Sequence, residues 1–201
     1  MEPRVGNIYH FEVTLLDVEP LIWRAIQVPD SYSFWDLHVA IQDAMGWFDN
    51  HLHEFEIIDS ATRHIVRIGV PDGESLDQQP TRPAWEVGIS DYLRLDNAEA
   101  HYAYDFGDGW VHRVTLKEIL EPDPDVTYPR CVAGERSCPP EDSGGPWGYE
   151  RFLDALQNPD HEEHESMMEW VGGNFDPEEF DPAKVSFDDP GKRWRIAFQD
   201  G

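Results

Sequence analysis

Residues 33–46 read SFWDLHVAIQDAMG, and this stretch decides the fold. Ser33 stands three residues before Asp36, the spacing at which a side-chain oxygen and a carboxylate satisfy each other's free backbone N–H groups at a helix start. Phe34, Leu37, Ile41 and Met45 then recur every three or four residues, so one side of the turn pattern is apolar. Gly46 ends the run, because glycine takes the left-handed conformation that closes a helix. A helix over 34–45 is expected, and an amphipathic helix needs a surface to cover.

The flanking sequence supplies that surface. Upstream, IYHFEVTLL at 8–16 places Tyr9, Phe11, Val13 and Leu15 on one side with period two. A turn at Asp17–Pro20 and a second apolar run, Leu21–Val28, complete a β-hairpin. Downstream, Leu52–Ile58 reads as a third strand. Residues 59–100 are punctuated by Pro71, Gly73, Pro80 and Pro83, which predicts loops with one short strand or turn. Residues 101–119 read as a second hairpin, in which Tyr102, Tyr104 and Phe106 alternate before the turn Gly107-Asp108-Gly109 and Val111–Ile119 returns. The fold class expected is α+β, a mixed β-sheet packed on a central helix in a grasp-like ββαβ order plus a hairpin.

The boundaries follow from composition. Residues 1–121 form the sheet domain; residues 122–148 hold six prolines and four glycines and read as a connector packed on it. Residues 149–201 form an acidic helical region, with helices over Tyr149–Gln157 and Glu162–Val171 and a closing strand over Arg193–Phe198. The three parts are expected to make one compact unit.

Charge excludes several functions. The chain carries 15 Lys and Arg against 41 Asp and Glu, a net of −26. A surface of that sign repels phosphate, so direct nucleic-acid binding and anionic-membrane binding are disfavoured. No apolar run is long enough to cross a bilayer and MEPRVGNIYH lacks the apolar core of a signal peptide, which predicts a cytoplasmic protein. Within residues 152–183 there are ten acidic residues and no Lys or Arg. The plainer reading is a solvated helix surface; the sharper one is a surface for a basic protein partner. Adaptation to a salty cytoplasm is a third account of the acidity, consistent with only three lysines, Lys117, Lys184 and Lys192.

Several blocks together resemble the plasmid pRiA4b ORF-3-like family, which includes passenger proteins of mobile elements. They are IWRAIQVP at 22–29, LHVAIQDAMGW at 37–47, HLHEF at 51–55, YDFGDGWVHRV at 104–114, YPRCVAGERSCPPEDSGGPWGY at 128–149 and FDPEEFD at 175–181. The resemblance implies a fold and no reaction, so no catalytic residue is carried over. The family pattern often has a third cysteine where this chain has Ser143.

Three constellations could carry chemistry. Cys131 and Cys138, on a bent loop, could hold zinc with His51, His53 and His112, since thiolates and imidazoles complete a tetrahedral shell; the alternative is that the cysteines are packing residues. Asp105, Asp108 and His112 flank the second hairpin turn and could be joined by Glu141 and Asp142 in a metal-dependent hydrolase, against the plainer reading of a turn capped by Asp. Trp47, Trp110 and Trp147 with Tyr104 and Tyr149 could line a groove for a ligand or partner, with Trp110 and Trp147 the two expected to be partly exposed. No nucleophile elbow, phosphate loop or dinucleotide fingerprint is present, because Gly107-Asp108-Gly109 lies in a hairpin with no helix after it. The function expected is a non-catalytic binding or interaction protein, with no cofactor committed and zinc as the alternative.

Overall fold

Ser33 caps its helix as the spacing requires. Its hydroxyl accepts from the Asp36 N–H at 3.2 Å and the Asp36 carboxylate accepts from the Ser33 N–H at 2.8 Å, while Gly46 closes the other end at φ 85°. The structure is a computed structural model describing residues 6–71 and 80–199, so Gly73 lies outside the described residues. Its strands are β1 (Ile8–Leu15), β2 (Ile22–Pro29), β3 (His53–Ile58), β4 (Ile65–Gly69), β5 (Arg82–Pro83), β6 (Glu99–Tyr104), β7 (Trp110–Leu120) and β8 (Arg130–Glu135). Its α-helices are α1 (Phe34–Met45), α2 (Ile89–Tyr92), α3 (Gly145–Gln157), α4 (His164–Trp170) and α5 (Pro190–Phe198).

All eight strands join one sheet in the order β5-β4-β3-β6-β7-β1-β2-β8. Every pairing is antiparallel except β4 with β5, which makes the sheet mixed and the fold α+β. The period-two reading of β1 holds, with Tyr9, Phe11, Val13 and Leu15 all buried. Helix α1 is buried over ten of its twelve residues, because β2 and β4 meet it from the sheet while α5 and the turn of 3-10 helix at Ala84–Glu86 also pack against it. Fully burying side chains such as Phe34, Leu37 and Ile41 contributes about 1.5–3 kcal/mol each.

Residues 59–100 hold β4, β5, α2 and a turn of 3-10 helix where loops with one short strand or turn are expected, and three further elements differ. The connector contains β8, which pairs with the outer edge of β2; Pro129 stops just short of it, and a short proline-free run is enough to add an edge strand. The segment 193–198 is helical, because Asp189 accepts from the Lys192 N–H at 2.7 Å and Pro190 occupies the first turn, where its missing N–H has no cost. Phe106 does not continue β6: Asp105 turns the chain at φ 53°, leaving Phe106 exposed.

The core cluster runs from Tyr9 to Phe152, and Met167, Phe175, Phe187 and Trp194 pack against it, so apolar side chains from all three sequence segments meet. At the β6–β7 turn the loop that leads into α3 and the first residue of that helix approach very closely. A Cβ on Gly145, at φ 70°, would lie 2.2 Å from the Asp108 carbonyl oxygen. Gly145→Ala is therefore expected to destabilise by about 2 kcal/mol, measured by urea unfolding; parental stability in that variant would show that the loop can retreat from the turn.

Candidate functional site

Two polar centres and one surface cleft stand out. The first centre is inside the molecule. His38, in mid α1, faces the sheet, where His53 opens β3; their rings stack in parallel, with centroids 3.5 Å apart and planes 11° apart. Neither side chain is exposed to an appreciable degree, at 0% and 2%. His38 Nδ1 lies 2.7 Å from the Tyr102 hydroxyl, and His38 Nε2 lies 2.8 Å from an Asp49 oxygen. Gln42, one turn after His38, accepts from the Asp49 N–H through its carbonyl and donates from its amide nitrogen to the Tyr102 hydroxyl at 2.9 Å. The Tyr102 hydroxyl must then donate to His38 Nδ1, which leaves His38 Nε2–H to donate to Asp49. His53 Nε2 is buried and has no hydrogen-bond partner among the described residues.

Charge around this centre is unbalanced. Arg193 reaches in from α5 to Asp43 at 2.6 Å and Asp188 at 2.9 Å, and stands 3.6 Å from the second Asp49 oxygen. Burial holds His38 down to about 3, with Arg193 adding to the shift, and pushes His53 well below the ordinary histidine value. Burial raises Asp49 and Asp43 despite the guanidinium beside them. Both imidazoles are therefore neutral at pH 7, and three carboxylates face one guanidinium.

The second centre is at the surface, where His51 Nε2 lies 3.1 Å from Asp142 and 3.6 Å from Asp105. Its carboxylates have local duties. Asp105 accepts from the Gly107 N–H at 2.9 Å, and Asp108 accepts from the Gly144 N–H at 3.0 Å, which ties the hairpin turn to the loop before α3. Glu141 accepts from the Tyr104 hydroxyl at 2.5 Å and from the Phe48 N–H at 3.1 Å. The turn reading of these acids is what the contacts support, and His112 is elsewhere, fully buried beside Trp47 and Tyr102.

Among the described residues, the His, Cys, Asp and Glu groups close enough to share one ion are His38–Asp49–His53 and His51–Asp105–Asp142; neither contains a cysteine. Cys131 and Cys138 are free thiols, half-buried. Burial pushes Cys138 up to about 12 and raises Cys131 as well, and the positive charge acting on both belongs to Arg24. A guanidinium among these thiols opposes a second cation there. Among the described residues, the structure thus gathers no group of three or more metal ligands from the cysteines and the expected histidines.

The aromatic set divides. Trp110 is 1% exposed, a correction to the expected partial exposure. It shares the inward parity of His112, Val114 and Leu116 along β7 and packs against Trp47 at 5.9 Å. Trp47, Tyr104 and Tyr149 are equally buried, so no groove forms between them. Trp147 is 81% exposed on the first turn of α3.

The cleft lies between α3 and α4, has a volume of about 420 Å³, and carries Phe152, Met167 and Trp170 with Asp142 and Glu163 among its lining residues. Ser143 also lines it, with its hydroxyl buried and unpartnered. On α3, α4 and the loop between them Asp154, Asp160, Glu162, Glu165 and Glu169 are exposed, and no ion pair is formed by any of the five among the described residues. His38, Gln42, Asp49 and Arg193 were missed by the pattern of apolar residues; the available signal was a pair of polar residues one turn apart, His38 and Gln42, inside an otherwise apolar helix.

No helix among the described residues is long and apolar enough to cross a membrane. The family model described as plasmid pRiA4b ORF-3-like protein matches residues 7–184. An uncharacterized protein, y4hQ, of Sinorhizobium fredii (strain NBRC 101917 / NGR234) is 35% identical over 192 residues, covering 91% of this chain and 88% of its own. The crystal structure of a protein of unknown function, MM3350 from Methanosarcina mazei Go1, superposes with a TM-score of 0.84 at 47% identity, covering 90% of this chain and 98% of that one. With the match spanning both hairpins, α1 and the acidic helices, the chain belongs to the plasmid pRiA4b ORF-3-like family.

Proposed function

We propose that this protein is a non-catalytic interaction module that receives a basic segment of a partner protein in the α3–α4 cleft. The observation that carries this reading is the combination of an apolar lining, Phe152, Met167 and Trp170, with four exposed carboxylates, Asp160, Glu162, Glu165 and Glu169, on α4 and the loop that leads into it, which have no cationic partner among the described residues. An apolar anchor flanked by Lys or Arg suits both features. The anchor would cover Trp170, which is 47% exposed, and the cations would meet Asp160, Glu162, Glu165 and Glu169. Carboxylates of one sign also raise the encounter rate with a basic partner, an effect that salt screens. Arg151 pairs with Glu163 at 3.2 Å, but both groups are solvated and a competing cation displaces such a contact readily.

A peptide array tests this on the full chain, with 12-residue probes that vary basic charge and apolar content independently. Peptides combining Leu, Phe or Met with flanking Lys or Arg are expected to bind best, with affinity falling as salt rises. Trp170→Ala should weaken them by about tenfold, and neutralising Asp160, Glu162, Glu165 and Glu169 together should weaken them by at least as much. Binding that tracks peptide charge alone and survives Trp170→Ala would reduce the cleft to a solvated surface and overturn the proposal.

A further inference from the structure

We infer that His38, Asp49 and His53 form a binding site for a divalent transition metal, buried between α1 and β3 and distinct from the surface cleft. One ligand atom from each residue lies within 4.8 Å of the others. Two imidazoles and one carboxylate leave a coordination position for water, a donor set that suits zinc and neighbouring divalent ions.

Three independent features point the same way. First, His53 belongs to this cluster, and its Nε2 is fully buried with no hydrogen-bond partner among the described residues. A buried ring nitrogen without a partner is a rare arrangement, and an ion supplies the missing one. Second, the ligands are oriented from behind. Tyr102 holds His38 Nδ1, and Gln42 holds both Tyr102 and the Asp49 backbone, the kind of outer support that fixes a metal-binding ring. Third, the local charge is short of two positive units: Asp43, Asp49 and Asp188 face Arg193 alone among the described residues.

Binding requires the His38 proton to change places. In the metal-free arrangement His38 Nε2–H donates to Asp49, so a metal at Nε2 requires the other neutral tautomer, in which the single ring proton sits on Nδ1 and donates to the Tyr102 oxygen, with no net proton released. Arg193, 3.6 Å from the second Asp49 oxygen, opposes the ion, so Arg193→Gln is expected to tighten binding while His53→Ala weakens it.

The test uses Zn²⁺ and Co²⁺ with chelator-stripped full-length protein, followed by calorimetry, thermal unfolding and the Co²⁺ optical spectrum. One equivalent is expected to bind, to raise the thermal midpoint by about 5 to 10 °C at a hundredfold excess over Kd, and to give a cobalt spectrum without thiolate charge transfer. His53→Ala and the shape-conserving Asp49→Asn should each lower affinity by about 100-fold or more. His51→Ala and the double change Cys131→Ser with Cys138→Ser should leave it unchanged. Failure of either ion to bind, unchanged affinity in folded Asp49→Asn, loss on His51→Ala, or a thiolate charge-transfer band would each overturn the assignment.

Discussion

Acidifying metal-free protein from pH 7 to pH 5 is expected to remove a large part of its folding stability, well before the carboxylates of so acidic a chain begin to titrate. His38, His53 and His112 are fully buried. Burial holds His38 and His112 down to about 3 and pushes His53 in the same direction. In the unfolded chain each takes up a proton near pH 6.5, whereas the folded chain refuses it, so the unfolded state binds more protons and stability rises with pH. The contribution is complete above pH 6.5 and is lost progressively as pH falls toward 3.

Each such histidine weakens the fold by about 1.4 kcal/mol per pH unit below 6.5, so His38 and His112 alone remove about 4 kcal/mol by pH 5, out of a stability that is typically 5–15 kcal/mol. The groups facing them do not cancel this. Arg193 and Arg24 lower the two histidines further, after burial. Asp43 and Asp49 have the opposite sign: raised by burial, they return stability as pH falls through their folded values. Most of the 41 acidic residues gain protons only near pH 4, so relief of self-repulsion arrives after the histidine window. Urea midpoints measured by tryptophan fluorescence between pH 7.5 and 5 check this. His112→Gln should flatten the slope by about one proton, and a midpoint that does not move across the interval would sink the account.

The same histidines show where sequence reading succeeds and where it stops. Helix α1 was legible because its cap, its apolar spacing and Gly46 are local and agree with one another. The hairpins were legible for the same reason. The candidate donors His51 and His53 part company because β3 begins at His53, which points into the core, while His51 lies outside the strand and turns outward to Asp105 and Asp142. His38 was passed over because the apolar pattern counts only apolar residues, and nothing local reveals that this polar ring shares their sheet-facing side and meets His53 and Tyr102 there. Asp43 and Arg193 are 150 residues apart in sequence, so no spacing rule connects them. Strand β8 was hidden because prolines around it suggested a loop, although an edge strand needs only one partner.

Replacing Arg24 by alanine is expected to destabilise by about 3–5 kcal/mol, because a buried cation whose partners are all backbone oxygens cannot be removed without orphaning them. Arg24 is 2% exposed on β2 and has no carboxylate at ion-pairing distance among the described residues. Its Nε donates to the Ala44 carbonyl at 2.9 Å, at the end of α1, where the last carbonyls have no helical donor. One terminal nitrogen donates to the Trp23 carbonyl at 2.8 Å and to the Glu135 carbonyl at 2.9 Å, the latter at the end of β8. The guanidinium plane sits 3.7 Å from the ring centre of Phe180, in the acidic C-terminal region.

One side chain thus joins helix, sheet edge and C-terminal segment, and burial lowers its own pKa while the nearby thiols Cys138 and Cys131 oppose that shift. Arg24→Lys keeps charge but lacks the fork that reaches three carbonyls, so it should recover only a minor part of the loss. Arg24→Met keeps most of the volume against Phe180 and none of the donors. If Met restores stability nearly to the parent value, packing and not hydrogen bonding carries the residue; if Ala itself costs less than about 1 kcal/mol by urea unfolding, the junction is not where these elements are held together.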